Sequence, residues 1–231
     1  MERVRLIVCL LAAFALCAVP LRADAETAID PALAELLAGM RASERIEAAF
    51  AERRHHPLRR VPSRFAGVLR RDPALGISLA YTQPREQVVS VLPDGLWRTR
   101  PDDSPARLPA SEEGDALRFA LLALFTFDAE KWKESFDIEF SEATGEGTWR
   151  IDLYPLAGQP AGSLISALVL QGSEQVLERM EIRRPNRSRI EIFITEPRSP
   201  EAWPPDVRAV AFPVAPAEGD GESIPSTPHG H

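Results

Sequence analysis

Polar and apolar side chains alternate along most of this chain. Apolar residues fall at every second position over Ile46, Ala48 and Phe50, over Phe65, Gly67 and Leu69, and over Ile77, Leu79 and Tyr81. The same spacing returns over Phe136, Ile138 and Phe140, over Trp149, Ile151 and Leu153, over Val176, Met180 and Ile182, and over Ile190, Ile192 and Ile194. A period of two turns one face of a strand toward a core and the other toward water. Between these runs stand turn formers: Asp72-Pro73, Pro93-Asp94-Gly95, Gly145-Glu146-Gly147, Gly172-Ser173 and Pro185-Asn186. Short strands joined this way predict an antiparallel meander, curved into an incomplete barrel. The stretch from Leu164 to Leu170 is apolar on both faces, which suits a sheet covered on one side and lining a cavity on the other.

Three segments follow a helical period instead. Ile29, Leu33, Leu36, Leu37 and Met40 share one helix face, with Asp30-Pro31 as cap and first-turn residue. They predict an N-terminal helix packed on the sheet. Asp115 to Phe127 is apolar on every side, so as a helix it must be buried, either as a fixed plug or as a movable lid over the barrel. It is too short to span a bilayer. Asp128 to Phe136 reads as a short amphipathic helix leading into the next strand. The expected fold is mainly β with α: an incomplete antiparallel β-barrel, or curved meander, with a helical lid or plug and an N-terminal helix.

The ends change the setting. Residues 1–25 carry Arg3 and Arg5, then an apolar run from Leu6 to Val19, then Ala23-Asp24-Ala25, the layout of a cleaved secretory signal. Both cysteines, Cys9 and Cys17, fall inside that segment, so the mature chain has neither disulfides nor thiolate metal sites. Neither follows a small residue as a lipid-anchored cysteine would. The reading is a soluble exported product, with a lipid-anchored one as the alternative. Residues 26–197 are assigned to the barrel domain. Residues 198–231, rich in proline and acids, are assigned to a largely disordered tail, and His229 and His231 on it carry no metal argument.

Charge narrows the partners. Beyond residue 25 the chain keeps 24 basic and 32 acidic side chains, a formal charge of −8, which argues against nucleic acid. Against that background, Arg53 to Arg71 holds seven arginines and no acid. Charge runs usually face water, so these are read as a solvated strand pair whose charges blunt an edge. A basic rim for an anionic partner or lipid head group is the alternative. Arg71 stands apart. In a regular strand from Phe65 it points the same way as Phe65 and Leu69, toward the apolar face, where a lone charge is costly.

Chemistry is otherwise scarce. The sequence has no nucleophile elbow, no zinc-binding HExxH helix, no P-loop and no dinucleotide glycine pattern. His55 and His56 are adjacent, so on one strand they face opposite ways. The residues meet so little of what an active site needs that no enzyme and no cofactor is expected.

The stretch FAGVLRRDPALGISLAYTQPREQVVSVLPDGLW, Phe65 to Trp97, resembles the LolA-type outer-membrane lipoprotein carriers. It shares an apolar strand ending in arginine near Pro73, Thr82-Gln83-Pro84, then Asp94-Gly95 and Leu96-Trp97. Phe50 to Arg53, Pro57-Leu58 and Gly67-Val68-Leu69 are similar to the divergent LolA-like proteins of aryl-polyene gene clusters. The order of later elements, through Gly147-Thr148-Trp149 to three closing strands, also agrees. The resemblance implies a monomeric periplasmic carrier that shields the acyl chains of lipoproteins between an inner-membrane donor complex and an outer-membrane acceptor. A polyene lipid or glycolipid intermediate is the alternative cargo. A non-carrier interaction module of an envelope complex is the alternative role. The cavity would be lined from the strands by Phe65, Leu69, Ile77, Leu79, Tyr81, Trp97 and Trp149, and from the apolar helix by Phe119, Leu122 and Phe125. The family's gating arginine maps to Arg71, with two departures: Asp72 intervenes before Pro73, and Arg70 competes for the role.

Overall fold

The computed structural model describes residues 29–42, 45–109, 118, 121–122, 125–142 and 147–214. The expected signal segment lies outside them. Eleven strands form one open antiparallel sheet: β1 (Ile46–His55), β2 (Ser63–Asp72), β3 (Gly76–Gln83), β4 (Gln87–Leu92), β5 (Gly95–Thr99), β6 (Ala106–Arg107), β7 (Phe136–Glu142), β8 (Thr148–Pro155), β9 (Ala167–Ser173), β10 (Val176–Arg183) and β11 (Arg189–Arg198). Their order is β6-β5-β4-β3-β2-β1-β11-β10-β9-β8-β7, so the first and last strands pair at the centre. The sheet does not close, as the incomplete barrel requires.

One residue too many on one strand bends a ladder. Such register shifts occur between Glu47 and Ala49 against β11, between Ala66 and Gly67 against β3, and between Leu177 and Arg179 against β9. Two glycines allow the close approaches beside these bends. A Cβ on Gly67 would stand 2.0 Å from the Ala80 carbonyl oxygen, and one on Gly172 1.9 Å from that of Val176.

The alternation sorts side chains onto two faces. The inner face carries Ala48, Phe50, Leu69, Ile151, Leu153, Leu168, Leu170, Met180, Ile182, Ile192 and Ile194, all buried in one cluster. Helix α1 (Pro31–Ala42) adds Leu33, Leu37 and Met40, and its first turn is capped by Asp30, which accepts from the Ala32 N–H at 2.9 Å. Helix α2 (Ala129–Lys133) adds the fully buried Trp132, with Asp128 as its cap. Both helices agree with the sequence reading.

The outer face holds charge pairs and one smaller apolar cluster. Residues 199–214, which the composition assigns to a largely disordered tail, fold back across this face. They include helix α3 (Pro205–Ala211), and Trp203, Ala211 and Phe212 pack on Leu92 and Trp97. The Trp203 indole donates to Asp72 Oδ2 at 2.9 Å, and the Ser90 hydroxyl to the Ala211 carbonyl at 2.7 Å. Two aromatic anchors and these bonds offset the ordering cost that proline-rich composition signals. Residues 215–231 lie outside the described residues.

Candidate functional site

At one end of the inner face, Ile46 of β1, Arg71 of β2 and Ile77 of β3 sit side by side in register. Two isoleucines thus flank an arginine that is only 2% exposed. Its Nε donates to the Phe125 carbonyl at 2.9 Å, and its guanidinium lies 4.9 Å from the Phe127 ring centroid. Burial pulls the Arg71 pKa below the usual arginine value, and the neighbouring Asp72 charge opposes the shift.

Arg118, Leu121, Leu122 and Phe125 are helical, and the chain turns at Phe127, where φ is +49°. Carbonyls at a helix end lack intrahelical partners and carry the negative end of the helix dipole. A buried cation that takes one of them satisfies both needs. The ring of Phe127 supplies a second, cation–π contact. The same segment is tied at Arg118, whose guanidinium donates to the Pro93 carbonyl at 2.5 Å.

A cavity of about 250 Å³ opens beside this pair, lined by Met40, Ile46, Leu69, Arg71, Phe125, Phe127, Leu177 and Ile194, with Gln175 and Pro197 to Ser199 at its edge. Most of its lining side chains are apolar, and Arg71, Gln175, Arg198 and Ser199 are the polar ones. Parity puts the two neighbouring arginines on opposite faces of β2. Arg70 faces outward and binds Glu47 at 2.7 Å, whereas Arg71 faces the cavity. Asp72 also faces outward, held by Arg45 at 3.1 Å and by Trp203, so it does not turn Arg71 away.

The other end of the inner face carries a second polar group. Glu52, 2% exposed, accepts from the Tyr81 hydroxyl at 2.8 Å and is paired with Arg54. Burial first, then the Glu52 charge and hydrogen bond, push the Tyr81 hydroxyl well above its ordinary pKa. Phe50 and Phe65 pack edge-on against Tyr81, and Arg54 lies over Phe65 at 4.2 Å.

The expected lining residues therefore divide. Leu69, Arg71 and Phe125 line the cavity. Ile77, Leu79, Phe65 and Tyr81 continue the inner face from it. Trp149 also lies in that core, its indole bonded to the Glu174 carbonyl at 2.9 Å. Leu122 is half-buried. Trp97 belongs to the outer face with Trp203, because its register partner is Ser90, so it lines nothing here. Phe119 lies outside the described residues. Phe127 was missed, although the apolar run ends on it, and so was Glu52, whose inward parity follows from Ala48 and Phe50. Among the described residues no group of three His, Cys, Asp or Glu side chains could hold a metal ion. None of their helices is long and apolar enough to cross a membrane.

No family profile matches the chain, and no curated protein matches it. Solved structures do resemble it in fold. A LolA superfamily protein from Nitrosomonas europaea superposes at a TM-score of 0.40 and 9% identity, over 75% of this chain and 95% of that one. A DUF1329 family protein from Desulfovibrio piger superposes at 0.42 and 12% identity, over 77% and 95%. The Pseudomonas aeruginosa MucA/MucB complex contributes a chain at 0.41 and 10% identity, over 76% of this chain and 59% of that one.

Proposed function

We propose that this protein is a soluble periplasmic carrier that shields an acyl chain, of a lipoprotein or a lipid-like molecule, on its way to the outer membrane. The observation that carries this reading is the apolar cavity beside Arg71, closed by the two phenylalanines that Arg71 holds. An acyl chain costs about 0.8 kcal/mol for each methylene left in water, so it needs broad apolar cover and little directional bonding. The cavity is smaller than the roughly 300–1,000 Å³ of ordinary ligand pockets. Cargo must therefore displace Phe125 and Phe127 and take their place against Leu69, Met40 and Ile194. Apolar contact is exchanged for apolar contact, so loading and release stay nearly balanced.

Arg71 sets that balance. A hydrogen bond to a charged group contributes about 1.5–3 kcal/mol and a partly buried cation–π contact about 1 kcal/mol. That is enough to hold the phenylalanines closed over an empty cavity and little enough for an acyl chain to overcome. Cargo passes from an inner-membrane donor complex to an outer-membrane acceptor, without covalent chemistry. The lipid-like alternatives, a polyene lipid or a glycolipid intermediate, offer the same apolar chain.

Native mass spectrometry of the protein taken from a bacterial periplasm tests the reading. A stoichiometric acylated molecule, or uptake of a fluorescent fatty-acyl probe competed by it, is the expected result. A protein that arrives empty and refuses the probe is no carrier, and its role would be that of an interaction module.

A further inference from the structure

The antiparallel order gathers certain turns at one pole of the sheet. β1 pairs with β2 at Arg54 and Ser63, and with β11 at His55 and Arg189. The β1–β2 loop, residues 56–62, and the β10–β11 turn, residues 184–188, therefore project side by side. The first brings Arg59 and Arg60, with Arg64 just beyond it; the second brings Arg184 and Arg187. All five are exposed and have no ion-pair partner among the described residues. No acid occurs from Arg53 to Arg71 or from Ile182 to Ile190. The β3–β4 turn beside them adds Arg85 and Glu86, which cancel, residues 156–166 on the far side carry no charge, and the β5–β6 loop farther out at the same end adds Arg100, Asp102 and Asp103.

The same loop holds the two most exposed large apolar side chains of this pole, Leu58 at 90% and Val61 at 69%. Both lie between Pro57 and Pro62, which stiffen the loop, and the Arg59 N–H closes a turn on the His56 carbonyl at 2.9 Å. Exposed Leu156, four strands along, faces the same pole. At the opposite pole Asp94, Glu142 and Glu174 stand among Arg45, Arg107 and Arg198. Arg71 and Arg54 stand on register rows eight residues apart, about 26 Å along the strands, so the cavity sits far from the arginines.

We propose that the pole formed by the 56–62 loop and the 184–188 turn docks on an anionic lipid bilayer. Leu58 and Val61 enter the boundary between head groups and acyl chains while the five arginines meet lipid phosphates. Charge complementarity selects this partner. The chain as a whole is acidic, so attraction to an anionic surface works only if the basic pole faces it and lies within a Debye length, about 8 Å. An exposed aliphatic pair among the arginines suits a bilayer and adds nothing for a polyanion such as nucleic acid. The docking is independent of the cargo reading, since a protein that carried nothing would bind the same way.

The test is cosedimentation of the protein, recovered from cells expressing the full sequence, with phosphatidylglycerol/phosphatidylcholine vesicles and with phosphatidylcholine vesicles. Binding is expected to the first only, and to weaken as salt rises. Arg59→Gln with Arg60→Gln is expected to lower the affinity roughly 20- to 30-fold. Leu58→Ser with Val61→Ser should lower it roughly tenfold or more. These residues are exposed, so the fold should survive, which circular dichroism checks. Val210→Ser, an exposed apolar residue on α3, serves as the control and should change nothing. A labelled Leu58→Cys probe should shift to the blue on anionic vesicles. Equal binding to both vesicle types overturns the proposal. So does retention of full binding by the folded Leu58/Val61 variant, and so does tighter, Leu58-independent binding to duplex DNA.

Discussion

Position 71 holds a charge that parity places among isoleucines, and the fold keeps it by giving it a helix carbonyl and an aromatic face. Arg71→Leu removes a hydrogen bond and a cation–π contact, but also the cost of burying a charge, so loss and gain partly offset. Arg71→Leu is therefore expected to change unfolding free energy by no more than about 1 kcal/mol. It should also deepen the apolar wall and slow transfer of a bound acyl probe to acceptor vesicles. Unchanged transfer would remove Arg71 from the release step. Its neighbour has a different task. Burial pushes the Asp72 carboxyl up, but bonds from the Ala74 N–H, the Trp203 indole and the Leu75 N–H, with the Arg45 charge, outweigh it and hold the pKa below the usual value. A depressed carboxyl stabilises the fold above the unfolded value near pH 4, and that stability is lost as pH falls through the lower folded value. Urea titrations from pH 7 to pH 2 should show this acid limb, and Asp72→Asn should flatten it. The sequence allowed the orientation of Arg71 to be read, since alternation from Phe65 places it inward. It did not expose the Arg71 partner, because Phe125 lies in another element 54 positions away.

Elements built on a strict period of two were the legible ones. β1, β2, β3, β7, β8, β10 and β11 each fall where the apolar alternation lies. β4 and β5 escaped it, because Val88, Val89 and Val91 and then Leu96 and Trp97 are apolar on both faces, one for the core and one for the folded-back segment. That segment was hidden by composition. Its prolines read as disorder, and only Trp203 and Phe212 hint at an anchor. Trp203→Ala is expected to cost about 3 kcal/mol, as a buried aromatic truncation does. Removing residues 199–231 should cost at least as much and expose Leu92 and Trp97, visible as increased binding of a hydrophobic dye. Tolerance of that deletion with no change in midpoint or dye binding would show that the outer cluster is dispensable. Gly67→Ala tests the sheet itself. Its Cβ would meet backbone at 2.0 Å, so β3 must shift, and a loss of roughly 2 kcal/mol or more is expected in the same unfolding assay.

Across the whole molecule, charge and connectivity matter more than any one contact. The arginine run reads in sequence as a solvated strand pair that blunts an edge, but β1 and β2 are inner strands paired on both sides, so no edge is blunted; there Arg70 pairs with Glu47, and Arg53 lies over Phe193. What a linear reading cannot supply is that the β10–β11 turn, more than a hundred residues later, lies beside the same loop. Connectivity has a consequence in time. The sheet's central pair joins the first strand to the last, and such distant pairing makes for slow folding. While the chain emerges from its N-terminus, β1 can pair with β2 but its other flank stays bare until Arg189 to Arg198 arrive. A bare strand flank invites pairing with any other chain. Synthesis arrested before Arg189 therefore leaves an aggregation-prone half-sheet, and protection of the newborn chain has to last until its final strand is made.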